Sequence, residues 1–315
     1  MNMSPRRMVL AGIILLLLSM VPVIAQMTGY SHYVTLFGRI LVYAISALGL
    51  NLLLGHAGLV SFGHAAFLGI GAYAVGIPAM YGIESAFIQW PLAIVVAGIA
   101  GLLVGSISVR VSGLYFIMIT LAFSQLFYFL ASGLVAFGGD DGMTVQVRST
   151  LGGLIDLRNQ NVLYYTTFAI LLLCLGFIHV FTNSRLGIII AGVRSNEERM
   201  RALGYPTYPY KLIAFVLSAM MCAIAGALLA NLTDFVSAQY MSWHRSGELM
   251  IIVILGGVHT LFGPVIGAIV LLLFEEILSL FTDHWALILG PLLVVLVLYA
   301  PNGIWGALFP KKHSP

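Results

Sequence analysis

Long apolar stretches broken by short polar segments run the length of the chain. Ten can be drawn: 8–25, 34–54, 60–81, 88–109, 113–135, 163–182, 210–231, 248–261, 264–281 and 285–306. About 20 apolar residues cross a hydrocarbon core as a helix. Lipid offers backbone N–H and C=O groups no partner, and the alternating pattern of barrel strands is absent, so the stretches are read as helices. The predicted fold class is all-α: a single polytopic membrane helix bundle over residues 1–315 with about ten transmembrane helices. The stretch 248–261 is short for a span. It reads as a half-helix or re-entrant segment, which a membrane protein allows only where it is packed in protein or lines a cavity. The first stretch follows Arg6 and Arg7 and has small residues at Val23 and Ala25 before Gln26. That is the outline of a secretory signal, but further spans follow, so it is read as an uncleaved first helix.

Composition removes the soluble classes. Of 315 residues, 61% are hydrophobic and 8% charged, and mean hydropathy is +1.05; a soluble domain carries roughly 25% charged residues. A net charge of +3 with dispersed basic residues gives nucleic-acid binding no support. Cys174 and Cys222 each lie in an apolar run, as small buried hydrophobes rather than metal ligands or a disulfide. Ten crossings put Arg6, Arg7, Arg110, Arg185, Arg194, Arg199, Arg201, Lys211, Lys311 and Lys312 on one side. Arg39, Arg148, Arg158 and Arg245 fall at or near the other side, with the acids Glu84, Asp140, Asp141, Asp156, Asp234, Glu248 and Asp283. By the positive-inside rule the first side is cytoplasmic and holds both termini. "GLLVG" (101–105) and "GPVIG" (263–267) carry the small-xxx-small spacing of close helix packing. A faint likeness joins the Gly/His-rich turns at 55–67 and 256–268.

"SNEERMRALGYP" (195–206) is dense in charge for such a chain. Ser195 and Glu198 read as a capping box, Gly204 as a left-handed stop and Pro206 as a barrier to continuation, leaving a helix of about two turns. Its charges belong in water, and so short a helix gains order only by docking. The alternative is a solvated loop whose arginines set topology.

Polar residues inside the apolar stretches mark a second group. Asn51, His56, Ser61 and His64 cluster where the second stretch turns into the third. They shape part of a path or cap helix ends; as metal ligands the two histidines lack carboxylate or cysteine company. Tyr115, Thr120, Ser124 and Gln125 mark about one face of the fifth stretch, as path lining or inter-helix hydrogen bonds. Glu275 and Glu276 lie deep in the ninth, where a proton relay and a structural role are both open.

"SNEERMRALGYPTYPYKLIAFVLSAMMCAIAGAL" resembles the cytoplasmic loop and following helix of ABC-importer permeases, where an E-A-A-x-x-x-G element couples to the ATPase. Glu198 and Gly204 keep that spacing, while Arg199 and Met200 replace the alanines. "NLLLGHAGLVSFGHAAFLGIGAYA" (51–74), "GLYFIMITLAFSQ" (113–125), "GGDDGM" (138–143) and "VILGGVHTLFGPVIGA" (253–268) are similar to the branched-chain amino acid (LivM-type) permeases. Asp140 departs from the uncharged residue expected there.

The resemblance implies an inner-membrane importer subunit for branched-chain or related apolar amino acids, with residues 183–209 as its coupling loop. Arg194, Ser195, Glu197, Glu198, Arg199, Met200, Arg201, Leu203 and Gly204 would meet the ATPase. It implies no cofactor on this chain, ATP and Mg on two cytoplasmic ATPase subunits, a second homologous permease, and a periplasmic or lipoprotein substrate-binding protein. The chain itself has no P-loop, since Lys211, Lys311 and Lys312 follow Tyr210, Pro310 and Lys311 rather than glycine. Urea, short amides or other amino acids are alternative cargo. A proton-coupled secondary transporter using Glu275 and Glu276 is the rival mechanism. No Ser-His-Asp or H-E-x-x-H set supports a membrane enzyme.

Overall fold

The computed structural model describes residues 5–30, 32–151, 155–282, 284–299 and 303–308. Lys311, Lys312 and Asp283 lie outside them. The chain is mostly helical: α1 (Pro5–Thr28), α2 (His32–Asn51) continued by a π-helical turn (Leu52–Ala57), α3 (His64–Met80), α4 (Ala86–Ser108) and α5 (Leu114–Gly133) form the first half. The second half holds α6 (Gln160–Asn183), α7 (Arg185–Ser195), α8 (Glu197–Ala202), α9 (Thr207–Thr233), α10 (Trp243–Gly256), α11 (Gly263–Ser279), α12 (Trp285–Tyr299) and α13 (Gly303–Leu308). Each apolar stretch of the sequence became helix, but among the described residues six are long and apolar enough to cross a membrane: 6–28, 32–57, 86–108, 114–133, 160–183 and 207–233. Three of the other four stretches form shorter helices, because turns at 58–63, 237–242 and 257–262 take residues that a full span would need, and the last is described as two helices, α12 and α13. The expectation of about ten full spans thus stands at six of spanning length.

Helix α9 is the centre of the bundle, packed on α2, α3 and α4. Its tightest crossing is with α3, where a Cβ at Gly71 would overlap the Ala223 carbonyl and one at Gly226 the Leu68 carbonyl. Only hydrogen at these positions lets two backbones approach so closely, and dispersion contacts replace the hydrophobic drive that lipid cannot supply. The two glycine pairs picked from spacing do the same work. Gly101 and Gly105 of α4 admit Ala219 and Leu212 of α9, and Gly263 and Gly267 seat α11 against α10.

The short stretch near 248–261 is a broken segment. After α9 the chain pairs Phe235–Val236 with Met143–Thr144 as a two-residue ladder, then turns back beside α3. Gly76 faces Val236, Gly69 faces Met241, and the Ala65 amide donates to Ser246 Oγ (3.1 Å). Eleven residues of α3, about 16 Å at ~1.5 Å per residue, separate the first and last of these contacts. Ser124 Oγ, midway along α5, donates to the Met241 carbonyl (2.8 Å). Helix α10 therefore begins part-way along α3 and α5, with Trp243 and His244 exposed. It starts at Trp243, five residues before the stretch drawn from hydropathy, because Trp243, His244 and Arg245 are helical despite their polarity.

Candidate functional site

Helix α8 and its neighbours form one end of the bundle. The cap is Asn196, whose Oδ1 accepts from the Arg199 amide (2.8 Å); Ser195 instead ends α7, so the expected Ser195–Glu198 capping box does not form. Asparagine caps as well as serine, and its extended backbone (φ −160°) lets the chain turn a corner between α7 and α8. The expected two turns shrink to six residues. The stop is as read: Gly204 is left-handed (φ +85°), the Tyr205 amide donates to the Met200 carbonyl (3.1 Å) and the Gly204 amide to Arg201 (2.9 Å). Those two bonds make a Schellman motif.

Glu197 holds this helix to α9. Its Oε1 accepts from Arg201 Nη2 (2.6 Å), Thr207 Oγ1 (2.9 Å) and Lys211 Nζ (2.9 Å). Burial alone would raise its carboxyl, but these donors outweigh it and hold the group below its ordinary value. Met200 packs back on Gly192 of α7. Glu198, Arg199 and Leu203 are exposed, Leu203 at 66%. So of the residues assigned to coupling, Glu197, Met200 and Gly204 shape the helix, whereas Glu198, Arg199 and Leu203 form its outer surface.

Arg194 joins this unit to the two Gly/His-rich turns. It donates to the Gly55 carbonyl (2.7 Å) and meets His259 (2.6 and 2.8 Å), and its stem lies over Gly58. Partial burial lowers its affinity for the proton. Asn51 ties the same turns together, donating to the Thr260 carbonyl (2.9 Å) and accepting from the His259 amide (3.3 Å). The faint likeness between 55–67 and 256–268 is thus a spatial pairing. His56 stacks into this turn, with Nδ1 3.5 Å from the Asn51 carbonyl.

The other path candidates separate. His64 is fully buried between Ser61 Oγ (2.9 Å) and Ser218 Oγ (2.8 Å), edge-on to Phe67 and Phe215. Ser218 gives its proton to the Gly49 carbonyl (2.5 Å), so His64 Nε2 carries hydrogen and Nδ1 accepts from Ser61. Every group there is satisfied. Thr120 and Ser124 are likewise buried and bonded, to the Ile117 and Met241 carbonyls. Tyr115 is 73% exposed, so the proposed single face through Tyr115, Thr120, Ser124 and Gln125 does not exist. Steps of five and nine residues drift around a 3.6-residue helix; Thr120 and Ser124, four apart, stay together.

Gln125, unlike Thr120 and Ser124, is only partly buried. Its Nε2 is buried without a partner, and the residue borders a half-open cleft of about 380 Å³ lined also by Tyr128, Gln239, Ser242, Trp243, His244 and Arg245. Ser242 makes no side-chain capping bond to α10. Arg245 also lines a second cavity, about 200 Å³, with Arg39, Tyr43, Glu248 and Glu275. Arg245 donates to Glu248 (2.7 Å). Arg245 and Glu248, expected near the outer surface, both lie on the first turns of α10, each partly exposed. Glu276 does not share this cavity; its carboxylate meets His32 (2.9 Å) at the first turn of α2. Sequence reasoning passed over Gln239 and Ser242, and saw Arg245 only as a topology marker, because 232–247 falls between the apolar stretches; Tyr128 lies on the fifth stretch, outside the face read there. The signal was there in a 16-residue gap rich in Ser, Gln, Trp, His and Arg before a helix too short to span.

At the opposite end Arg148 makes a bidentate pair with Asp234 (2.7 Å twice), whose hydrogen bond raises the guanidinium's hold on its proton. Among the described residues, no group of three or more His, Cys, Asp or Glu is placed to hold a metal.

These positions can be set beside known proteins. Residues 32–298 match the family described as branched-chain amino acid transport system / permease component. The chain belongs to that family. It is 29% identical over 287 residues to the high-affinity branched-chain amino acid transport system permease protein LivM of Salmonella typhimurium strain LT2, covering 84% of this chain and 68% of the relative. LivM of Escherichia coli strain K12 gives the same identity and coverage. LivH of E. coli K12 is 24% identical over 284 residues, 84% of this chain and 91% of that one. No solved structure matches. The family is a transport permease component, not an enzyme, and its matched region contains both α8 and the broken segment before α10.

Proposed function

We propose that this permease imports branched-chain or related apolar amino acids as one membrane subunit of an ABC transporter in the inner membrane, with both termini cytoplasmic. Two cytoplasmic ATPase subunits, which hold the ATP and Mg, drive it; a second homologous permease supplies the other half of the path, and a periplasmic or lipoprotein binding protein delivers the cargo. The observation that carries this reading is α8: a short rod with defined ends, clamped to the central helix by Glu197 and presenting Glu198, Arg199 and Leu203 outward. A surface of one apolar knob between charges suits a cleft in a soluble partner. Motion of α8 would pass through Glu197 to α9, and through α7 and Arg194 to the turns at 55–58 and 256–259.

The test is site-directed cross-linking in the complex purified from native membranes. Cysteine at 199 or 203 is expected to capture the ATP-binding subunit, with yield changing on nucleotide binding. Failure at both positions, or undiminished uptake after scrambling 197–203, overturns the reading. Cargo is checked by ligand binding to the co-purified binding protein, with urea and short amides as the competing outcomes. The proton-coupled rival keeps one specific support, Glu275 beside Arg39 and Arg245. Uptake that responds to uncouplers and is lost in Glu275→Gln would favour it.

A further inference from the structure

We infer that the cavity between α2, α10, α11 and α12 binds the charged head of an apolar amino acid, Arg39 taking its carboxylate and Glu275 its ammonium; this rests on the importer reading. Helices α10 and α11 run antiparallel about the turn at 257–262, where Gly267 packs on the Ile252 carbonyl and Gly256 on Gly263. That register sets Glu275 about level with Arg245, and Glu248 one turn nearer the 257–262 turn. Past Glu248 the lining is aliphatic, with Ile251 and Ile252 on α10, and Leu289 and Leu293 of α12 close a further side. The cavity holds about 200 Å³, below the roughly 300–1,000 Å³ of drug-sized ligand pockets. Charge at one end and aliphatic carbon along the rest suit a small ligand with a polar head and an apolar tail.

Charge pairing inside the cavity is incomplete. Arg245 and Glu248 answer each other (2.7 Å). Arg39 is the charge that acts most strongly on Glu275, yet among the described residues neither group makes a hydrogen bond or an ion pair. A staple between the same two helices looks different: His32 of α2 meets Glu276 of α11 at 2.9 Å. So α2 and α11 approach closely enough to be joined, and Arg39 and Glu275 still line the space between them unjoined. Arg39 lies about two turns into a helix of spanning length, where ionisable groups are costly unless paired or functional. A zwitterion satisfies both charges at once, the guanidinium donating to its carboxylate and its ammonium donating to Glu275. A lone anion or a lone amine answers one and leaves the other.

The experiment uses the intact transporter complex carrying Ile251→Cys, with no binding protein added, and follows the rate of modification by a small thiol reagent; Cys174 and Cys222 are buried and supply the background control. Leucine, which carries both charges, is expected to protect at concentrations about tenfold below those needed of 4-methylpentanoate, which lacks the ammonium, or isoamylamine, which lacks the carboxylate. That is the size expected for one lost hydrogen bond between charged groups. Glu275→Gln should bring leucine down to the level of 4-methylpentanoate, and Arg39→Gln should bring it down to that of isoamylamine. Charges that merely held the helices together would, on removal, weaken all three alike. Equal protection by the three, protection by none, a cysteine that never labels in any nucleotide state, or leucine selectivity unchanged in both charge variants each overturns the proposal. The comparison in Ile251→Cys keeps both charges in place, so it decides the matter even where a charge variant fails to fold. The labelling needs no ATP hydrolysis. Failed cross-linking at 199 and 203 sinks the importer reading, whereas failed protection beside successful cross-linking sinks this site alone.

Discussion

Two polar constellations lie within the bundle, one around His64 and one around Gln125, and they are built on opposite terms. Around His64 each donor meets an acceptor: Ser61, Ser218 and the Gly49 carbonyl close a chain of hydrogen bonds behind three phenylalanine edges, Phe67, Phe116 and Phe215. Around Gln125 the amide nitrogen is buried without a partner, and nearby Ser242 makes no side-chain cap at the start of α10. Low dielectric strengthens a completed network and penalises an incomplete one. The first arrangement therefore adds rigidity, and the second leaves a buried donor that costs stability. Polarity inside a membrane protein is a poor guide to function until its partners are counted.

The strongest way to break the contrast is to destroy the scaffold on which both rest. Gly226→Val would drive side-chain atoms into the Leu68 backbone, a cost above the ~1–3 kcal/mol of ordinary overpacking. Loss of monodisperse protein on gel filtration is the expected result; a well-behaved variant would mean that α3 and α9 are not so close. Next comes His64→Ala, which leaves two buried hydroxyls with a lost partner and a void, at about 2–4 kcal/mol. Melting temperature should fall while uptake per folded molecule holds. A fall in uptake without loss of stability would move His64 from scaffold to path. Gln125→Leu should do the reverse: removing an unmet buried donor should hold or raise the melting temperature.

The smallest effect is expected at α8. Its Glu197 carboxyl is held below the usual 4.5, so its ties to Arg201, Thr207 and Lys211 are complete at neutral pH and are lost as pH falls from there through the folded value. Solvent screens the group, so the contribution is under about 1 kcal/mol. A spin label at position 200 should become more mobile as pH falls below the usual 4.5 in the native chain, and Glu197→Gln should show that mobility at pH 7 with no pH step.

Much of the architecture was legible. Lipid imposes helices on apolar runs, and the ten stretches each became helix; the Gly101/Gly105 and Gly263/Gly267 pairs are packing sites as their spacing implied. The stop at Gly204 was legible as well, since only glycine enters the left-handed region without strain. The start of α8 was not, because Ser195 and Asn196 are both good caps and α7 decides between them by running on to Ser195. The path candidates fared worst. A hydropathy window sees that His64 and Gln125 are polar, but it cannot see Ser218, 154 residues away, answering one and nothing answering the other.

By itself the sequence determined class, helix content and the character of the charged segment, because the bilayer acts on each short stretch alone. Only the tertiary structure decided where α10 starts, which of the two polar constellations is satisfied, and that Arg194 links α7 to turns far apart in the chain. Those outcomes depend on which backbones approach closely enough to exchange hydrogen bonds, and that distance is a property of the packed bundle rather than of any one stretch.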